Sequence, residues 1–147
     1  MQIQTKFLGE VEVQEESIIQ FPEGIPGFVE EKQFVLIPLN ETSPFLTLQS
    51  VKTAEVGFMV ATPYAFKKDY AFDLQQSDVE QLHIENPEDV LVYGILTLKD
   101  TLLNSTINLL APVVINQKTK LAKQIVLTGM DDKILRYPLK VEEGSAK

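Results

Sequence analysis

The sequence of 147 residues contains no cysteine and no tryptophan, and its only histidine is His83. Without cysteine the chain forms no disulfide and has no thiolate to bind a metal or attack a substrate. One histidine cannot build a His-based zinc site. We therefore expect a protein without metal or cofactor, and the missing cysteines fit a reducing cytoplasm.

Motifs for phosphate binding and nucleophilic catalysis are also missing. The seven glycines stand singly, so neither a GxxxxGK[ST] loop nor a GxGxxG fingerprint is present. The GxSxG elbow of serine hydrolases is absent as well. Carboxylates are plentiful, which leaves a two-carboxylate hydrolase as an alternative. The prediction is nevertheless a protein that is not an enzyme.

Long apolar runs are absent too. The longest fall well short of the roughly 18 residues that a membrane-spanning helix needs. The first residues, MQIQTKFLGEVEV, lack the basic start and apolar stretch of a secretory signal. We expect a cytoplasmic protein that does not contact the membrane.

Basic residues are scarce relative to acidic ones, and the net charge is −8. Residues 1–100 hold 17 acids and 6 bases, whereas residues 101–147 hold 4 acids and 7 bases. This balance argues against direct binding of nucleic acid, because neutralising phosphates requires clustered Lys and Arg. Residues 10–31 and 69–89 contain acids with no Lys or Arg between them. Each window is either a solvated face or a patch that steers a basic partner.

The apolar pattern is mostly that of β-strands, in short runs bounded by Gly, Pro, Asn and Asp. Long helices are not indicated between these runs. We expect a mainly β fold: a small single-domain β-barrel or a strongly bent antiparallel sheet with one short helix. The predicted strands span residues 2–5, 10–14, 17–21, 33–38, 45–50, 57–62, 90–98, 106–110, 113–116 and 121–126.

One short helix is predicted over residues 78–83. Ser77 and Glu80 have the spacing of a capping box. His83 at the end of the helix is expected to have a structural or incidental role, since a cation there is mildly stabilising.

Prolines and glycines mark the bends of the chain. Ile25-Pro26-Gly27 predicts a type II turn, with Pro at position i+1 and Gly at position i+2. Pro112 predicts a break between two strands. We expect one domain over residues 1–141, followed by a disordered tail over residues 142–147.

Four segments together resemble the FliW family. They occur in the family's order and cover the chain from about residue 5 to residue 139. Each segment alone is a weak match, and the four in register are a specific one. The segments are FPEGIPGF at 21–28, PFLTLQS at 44–50, PYAFKKDY at 63–70 and NLLAPVVIN at 108–116.

The resemblance implies a flagellar assembly factor with two partners. FliW proteins bind newly made flagellin in the cytoplasm. When free they bind CsrA, a small RNA-binding protein that represses translation of flagellin mRNA, and so relieve the repression. The protein is expected to be a monomer when free. The alternatives are a flagellin chaperone that does not bind CsrA, and a small acidic ligand-binding barrel or hydrolase.

For CsrA we predict an acidic surface in the second window. CsrA must be basic to bind RNA, so carboxylates would speed its encounter with this chain. The helix and the turn at Asn86-Pro87 are expected to make the window protrude. The predicted residues are Asp69, Asp73, Asp78, Glu80 and Glu85.

For flagellin we predict a surface at the strand that begins after Pro44. Flagellin's terminal segments are disordered before assembly and fold amphipathically, so capturing them needs an apolar groove or edge. Alternation along the strand can place some of these side chains in the core. The predicted residues are Phe45, Leu46 and Gln49, with Asn116 at a polar rim.

Overall fold

The computed structural model describes residues 1–40 and 43–139. The predicted tail, residues 142–147, lies outside the described residues. The described part contains ten strands and one α-helix, joined by turns and short 3-10 segments. In chain order they are β1 Gln2–Gln4, β2 Glu10–Glu12, β3 Ile19–Gln20, β4 Gln33–Pro38, β5 Phe45–Ser50, β6 Gly57–Ala61, α1 Gln76–Gln81, β7 Val90–Thr97, β8 Thr106–Asn116, β9 Leu121–Gln124 and β10 Tyr137–Pro138.

Seven strands close into a barrel. Their order is β8-β7-β6-β5-β4-β3-β9, and β9 pairs again with β8. Neighbours are antiparallel except β3 and β9, whose parallel contact joins Gln20 to Leu121. Strand β10 pairs with Thr106 and Ile107 at the start of β8, and β1 pairs with β2 in a separate hairpin. The predicted mainly β barrel with one short helix is confirmed.

Strand alternation fills the interior of the barrel. Successive side chains of a strand point to opposite faces, so Phe34 of β4 and Leu48 of β5 point inwards while Val35 points outwards. The rings of Phe21 and Phe34 meet edge to face at 5.1 Å, a favoured aromatic geometry. The buried interior residues are Ile19, Phe21, Ile25, Phe34, Leu48, Val60, Val113, Ile115 and Ala122.

Two further apolar clusters lie outside the barrel wall. The β1–β2 hairpin covers β4 through Ile3 and Val13, which pack on Val35. Segments 66–72 and 127–139 cover the outer face of β6–β8 and bury Ile107 and Leu109. Burial on both faces explains why these strands carry near-continuous apolar runs.

Strand β8 is continuous through Pro112, so the predicted break between two strands was wrong. Pro112 has no amide hydrogen to donate to a neighbouring strand. The register of β8 with β7 shifts between Tyr93 and Ile95. Asn108 Oδ1 accepts the amides of Leu110 and Ala111, each at 3.0 Å. The proline is therefore accommodated in a bulge of one long strand.

The predicted turn at Ile25-Pro26-Gly27 is confirmed. The amide of Phe28 donates to the carbonyl of Ile25 at 2.6 Å. Gly27 has a φ of 87°, the left-handed value that position i+2 of a type II turn requires.

Candidate partner-binding surfaces

Helix α1 begins earlier than predicted, and its capping box is not formed. It spans Gln76–Gln81, and its N-cap residue Gln75 makes no capping side-chain hydrogen bond. Glu80 instead accepts a hydrogen bond from Gln76 Nε2 at 3.1 Å. The carboxylate of Glu80 therefore remains on the exposed side of the helix.

The C-terminal end of α1 is closed by a Schellman motif. The amide of Ile84 donates to the carbonyl of Val79 at 3.0 Å, and the amide of His83 donates to the carbonyl of Glu80 at 3.2 Å. His83 takes the left-handed position of this motif, with a φ of 55°, where glycine is the usual residue. The role of His83 in the helix is thus conformational.

Asn116 fastens this helix end to the barrel. Its Nδ2 donates to the carbonyls of Leu82 and His83 at 2.9 and 3.1 Å, and its Oδ1 accepts the amide of Lys118 at 2.9 Å. The residue is only 1% exposed. The prediction that Asn116 lies at the rim of a flagellin-binding surface therefore does not fit its burial.

Asp78 lies on the face of α1 that packs against β9. It is 6% exposed, and Lys123 Nζ donates to its carboxylate at 2.8 Å and to Gln81 Oε1 at 2.7 Å. A carboxylate so buried needs a partner, and β9 supplies one. The expectation that Asp78 belongs to a presented acidic surface is thus at odds with its position.

The other four predicted carboxylates are exposed: Asp69, Asp73, Glu80 and Glu85. Asp69 accepts a hydrogen bond from Lys67 at 2.7 Å, and this bond together with the lysine's charge lowers the pKa of Asp69. Within the described ranges, Asp73, Glu80 and Glu85 form no ion pair. In this part of the chain, no cation compensates the negative charge of these three carboxylates.

An open apolar groove of about 630 Å³ lies between α1 and β7. The sequence prediction missed it, because its apolar residues come from separate segments. Asp73 and Glu85 stand among its lining residues, which include no Lys or Arg. The apolar lining consists of Tyr64, Phe72, Leu74, Val79, Ile84, Pro87, Val90 and Val92. We call this the helix groove.

A second groove, of about 520 Å³, lies on the other side of the segment that precedes α1. Residues 71–75 form one wall, and residues 123–128, which include the end of β9, form the opposite wall. Phe72 and Asp73 line both grooves. We call this second one the edge groove.

The residues predicted to bind flagellin do not form one surface. Phe45 packs on the outer cluster, with its ring 5.8 Å from that of Phe66, whereas Leu46 packs on the interior cluster. This division follows from the two-residue period of a strand.

Gln49, which was expected in the same binding surface, is fully buried. Its Oε1 accepts the amide of Lys6 at 2.9 Å, and its Nε2 donates to the carbonyls of Thr53 and Ala54, both at 3.2 Å. Gln49 therefore ties the loop after β1 to the turn after β5.

Sequence reasoning also missed the exposed side chain of Phe28. It is 40% exposed, and its ring lies 5.4 Å from that of Phe58. Phe28, Phe58 and Leu98 line a smaller groove of about 250 Å³. The available signal was the turn before Phe28, which carries the ring out of the barrel.

Among residues 1–40 and 43–139, no three His, Asp or Glu side chains are grouped to hold a metal ion. No helix in this part of the chain has the length and apolar character to cross a membrane.

The fold and these surfaces define a small closed β-barrel protein with open grooves bordered by carboxylates. The sequence profile of the family described as FliW protein matches residues 2–139. The chain therefore belongs to the FliW family.

Relatives and a solved structure agree with this assignment. The flagellar assembly factors FliW of Bacillus licheniformis and Bacillus subtilis are each 51% identical over 127 residues, covering 86% of this chain and 89% of each relative. The one from Clostridium novyi is 45% identical over 139 residues, covering 95% of this chain and 96% of that relative. A crystal structure of the flagellar assembly factor FliW matches with a TM-score of 0.89 and 43% identity, over 97% of this chain and 99% of that one.

Proposed function

We propose that this chain binds flagellin in the cytoplasm and, when free, binds and antagonises CsrA, thereby relieving repression of flagellin mRNA translation. It acts as a single-domain monomer when free and neither catalyses a reaction nor touches RNA itself. Membership of a family of flagellar assembly factors supports this role. The observation that supports the proposed binding of CsrA is the helix groove, whose charged lining residues are both acidic.

The helix groove combines the two properties that a basic protein partner needs. Asp73 and Glu85 attract a basic surface and accelerate its encounter. In the same groove, the half-buried Val79 and Ile84 offer apolar surface from which water is released on binding. Glu80 extends the negative charge along the exposed side of α1. Asp78 takes no direct part, because Lys123 already neutralises it.

A partner switch requires that flagellin and CsrA oppose each other on the same molecule. If flagellin weakens the binding of CsrA by a given factor, CsrA must weaken the binding of flagellin by that same factor. Overlapping surfaces and a conformational coupling both satisfy this condition, so competition is the property to measure.

The test is a competition with purified proteins. Labelled CsrA is bound to the chain, unassembled flagellin is titrated in, and fluorescence anisotropy follows the release of CsrA. We expect flagellin to displace CsrA, and CsrA to displace labelled flagellin with the same coupling factor. A ternary complex with unchanged affinities would refute the switch. Binding of flagellin alone would instead identify a chaperone that does not act on CsrA.

A further inference from the structure

The chain segment that follows β9 keeps one side of its backbone paired and leaves the other side open. The amides of Ile125 and Leu127 donate to the carbonyls of Pro112 and Leu110 at 2.9 and 2.8 Å. These bonds continue the antiparallel ladder of β8 and β9 beyond Gln124, the last residue of β9. The backbone amides on one flank of the segment are therefore hydrogen-bonded to the barrel.

Among the strands that the structure describes, none pairs with the opposite flank beyond Leu121. In an antiparallel ladder, alternate residues direct their amide and carbonyl groups away from the partner strand. Ile125 and Leu127 face β8, so Gln124 and Val126 face the other way. Strand β3 pairs with β9 only at Leu121, and in the described residues the amide of Val126 donates to no backbone carbonyl.

This open flank lies in the edge groove. The facing wall, residues 71–75, has no assigned helix or strand. The side chain of Val126 is 68% exposed, so apolar surface lies beside the unpaired backbone. A groove with a free strand edge on one wall has the form that strand addition uses.

The charges of the groove favour a basic occupant. Lys123 is the basic side chain in the lining, and its ammonium group is held by Asp78 at 2.8 Å. Asp73, on the facing wall, is exposed and has no ion-pair partner in the part of the chain that the structure describes. The groove therefore presents one uncompensated negative charge opposite the open edge.

We propose that the open edge at Gln124 and Val126 binds an extended segment of a protein partner, which adds to the barrel as a strand. The segment carries apolar residues on one face and a basic residue that reaches Asp73. Its backbone pairs with the amide and carbonyl groups of Gln124 and Val126. This inference concerns the mode of binding and stands independently of the partners proposed above.

The first test is amide hydrogen exchange of the full chain, measured by NMR with a short acetylated and amidated peptide of alternating Val and Lys. We expect the Val126 amide to exchange quickly without peptide and to become protected when the peptide binds. The amides of Ile125 and Leu127 serve as internal controls, because they are bonded in both states. Absence of peptide binding, or binding without protection of Val126, would overturn the proposal.

The second test separates backbone pairing from side-chain contact. N-methylation of the peptide at alternate residues removes the amides that face β9, and shifting the methyl groups by one residue removes only amides that face away. We expect the first pattern to raise Kd by about tenfold or more and the second to leave it nearly unchanged. Equal effects of the two patterns would contradict strand addition.

A variant of the chain supplies the third test. Val126→Pro removes the amide that the barrel does not use, while Val126→Thr keeps both the amide and the β-branched shape. Peptide binding is expected to be lost in the first variant and retained in the second. If Val126 is already protected without peptide, increasingly so at higher protein concentration, the edge pairs with a second copy and the proposal is wrong.

Discussion

The two ends of helix α1 are held in opposite ways. Its C-terminal end is fixed by Asn116 and by the Schellman motif at His83, while the ion pair of Asp78, in the first turn, with Lys123 holds the buried face of the helix on β9. Its N-terminal end starts from Gln75 without a capping side chain and is preceded by residues 71–75, with a groove on each side.

Under the proposed function, this difference separates stability from recognition along one short stretch of chain. A six-residue helix is too short to persist on its own, so the fixed end keeps it folded. The other end then presents Asp73 and the groove walls in a defined geometry before a partner arrives, which lowers the entropic cost of binding. Mutations of the residues that fasten the helix, at its C-terminal end and at the pair of Asp78 with Lys123, should alter stability, and mutations of the exposed residues around the N-terminal end should alter binding.

The largest expected effect is that of Lys123→Met. It leaves the buried carboxylate of Asp78 without its cation, and breaking such a pair costs about 3 kcal/mol. Urea unfolding followed by circular dichroism measures the loss. The double variant Lys123→Met with Asp78→Leu should recover most of it, because both charges are then gone. A loss below about 1 kcal/mol would mean that the pair does not fasten the helix.

Asn116→Ala should have the next largest effect. It removes the donor shared by the carbonyls of Leu82 and His83, of which Leu82 keeps a second donor in Thr119 Oγ1 at 3.2 Å, and we expect a cost of about 2 kcal/mol. Thermal unfolding measures the change. Gln117→Ala is the matched control, because Gln117 is exposed and donates to a single carbonyl. Equal shifts of the unfolding temperature in the two variants would mean that Asn116 does not fix the helix end.

His83→Gly should stabilise the protein by about 1 kcal/mol, because glycine adopts a positive φ without the strain that a Cβ causes. The urea midpoint reports the gain. His83→Ala removes the imidazole but keeps the Cβ, so it should not reproduce this gain. If both variants stabilise equally, the imidazole rather than the backbone is the source of strain.

The smallest effect on stability is expected at the open end. Asp73→Lys combined with Glu85→Lys should change the unfolding free energy by less than about 0.5 kcal/mol, because both side chains are exposed. The same variant should slow association with CsrA by about tenfold and reduce its salt dependence. Stopped-flow fluorescence at several salt concentrations measures both quantities.

The control for this pair is Glu15→Lys combined with Glu16→Lys, which makes the same change in net charge at two exposed residues of the first acidic window. An equal slowing in both double variants would indicate that net charge, rather than the helix groove, steers CsrA.

Local sequence patterns predicted the barrel well, because alternation and turn residues act over a few neighbours. The turn at Ile25-Pro26-Gly27 is determined by these residues themselves. The two-residue alternation in β4 and β5 likewise shows which side chains face the interior of the barrel and which face outwards. Pro112 was misread because a bulge, in which Asn108 Oδ1 accepts the amides of Leu110 and Ala111, keeps the strand continuous, and no local rule indicates this bulge.

The burial of the candidate site residues was predicted less well, because burial depends on residues far away in the chain. Asp78 and Glu80 stand in the same short helix and the same acidic window, yet Asp78 is the one that meets Lys123, which lies 45 positions further on. From the sequence, Asn116 is expected to be exposed at the end of a strand. In the structure, the helix end at Leu82 covers it. The helix groove arises only where several segments meet, so it could not be found in any single segment.

The parallel contact of β3 with β9 has a consequence for the order of folding. It joins Gln20 to Leu121, and closing so long a loop carries a large entropic cost until other contacts shorten it. The antiparallel strands from β4 to β8 can pair with their chain neighbours first, and the barrel closes last. During synthesis, the barrel therefore stays open until the ribosome has released residues 121–124.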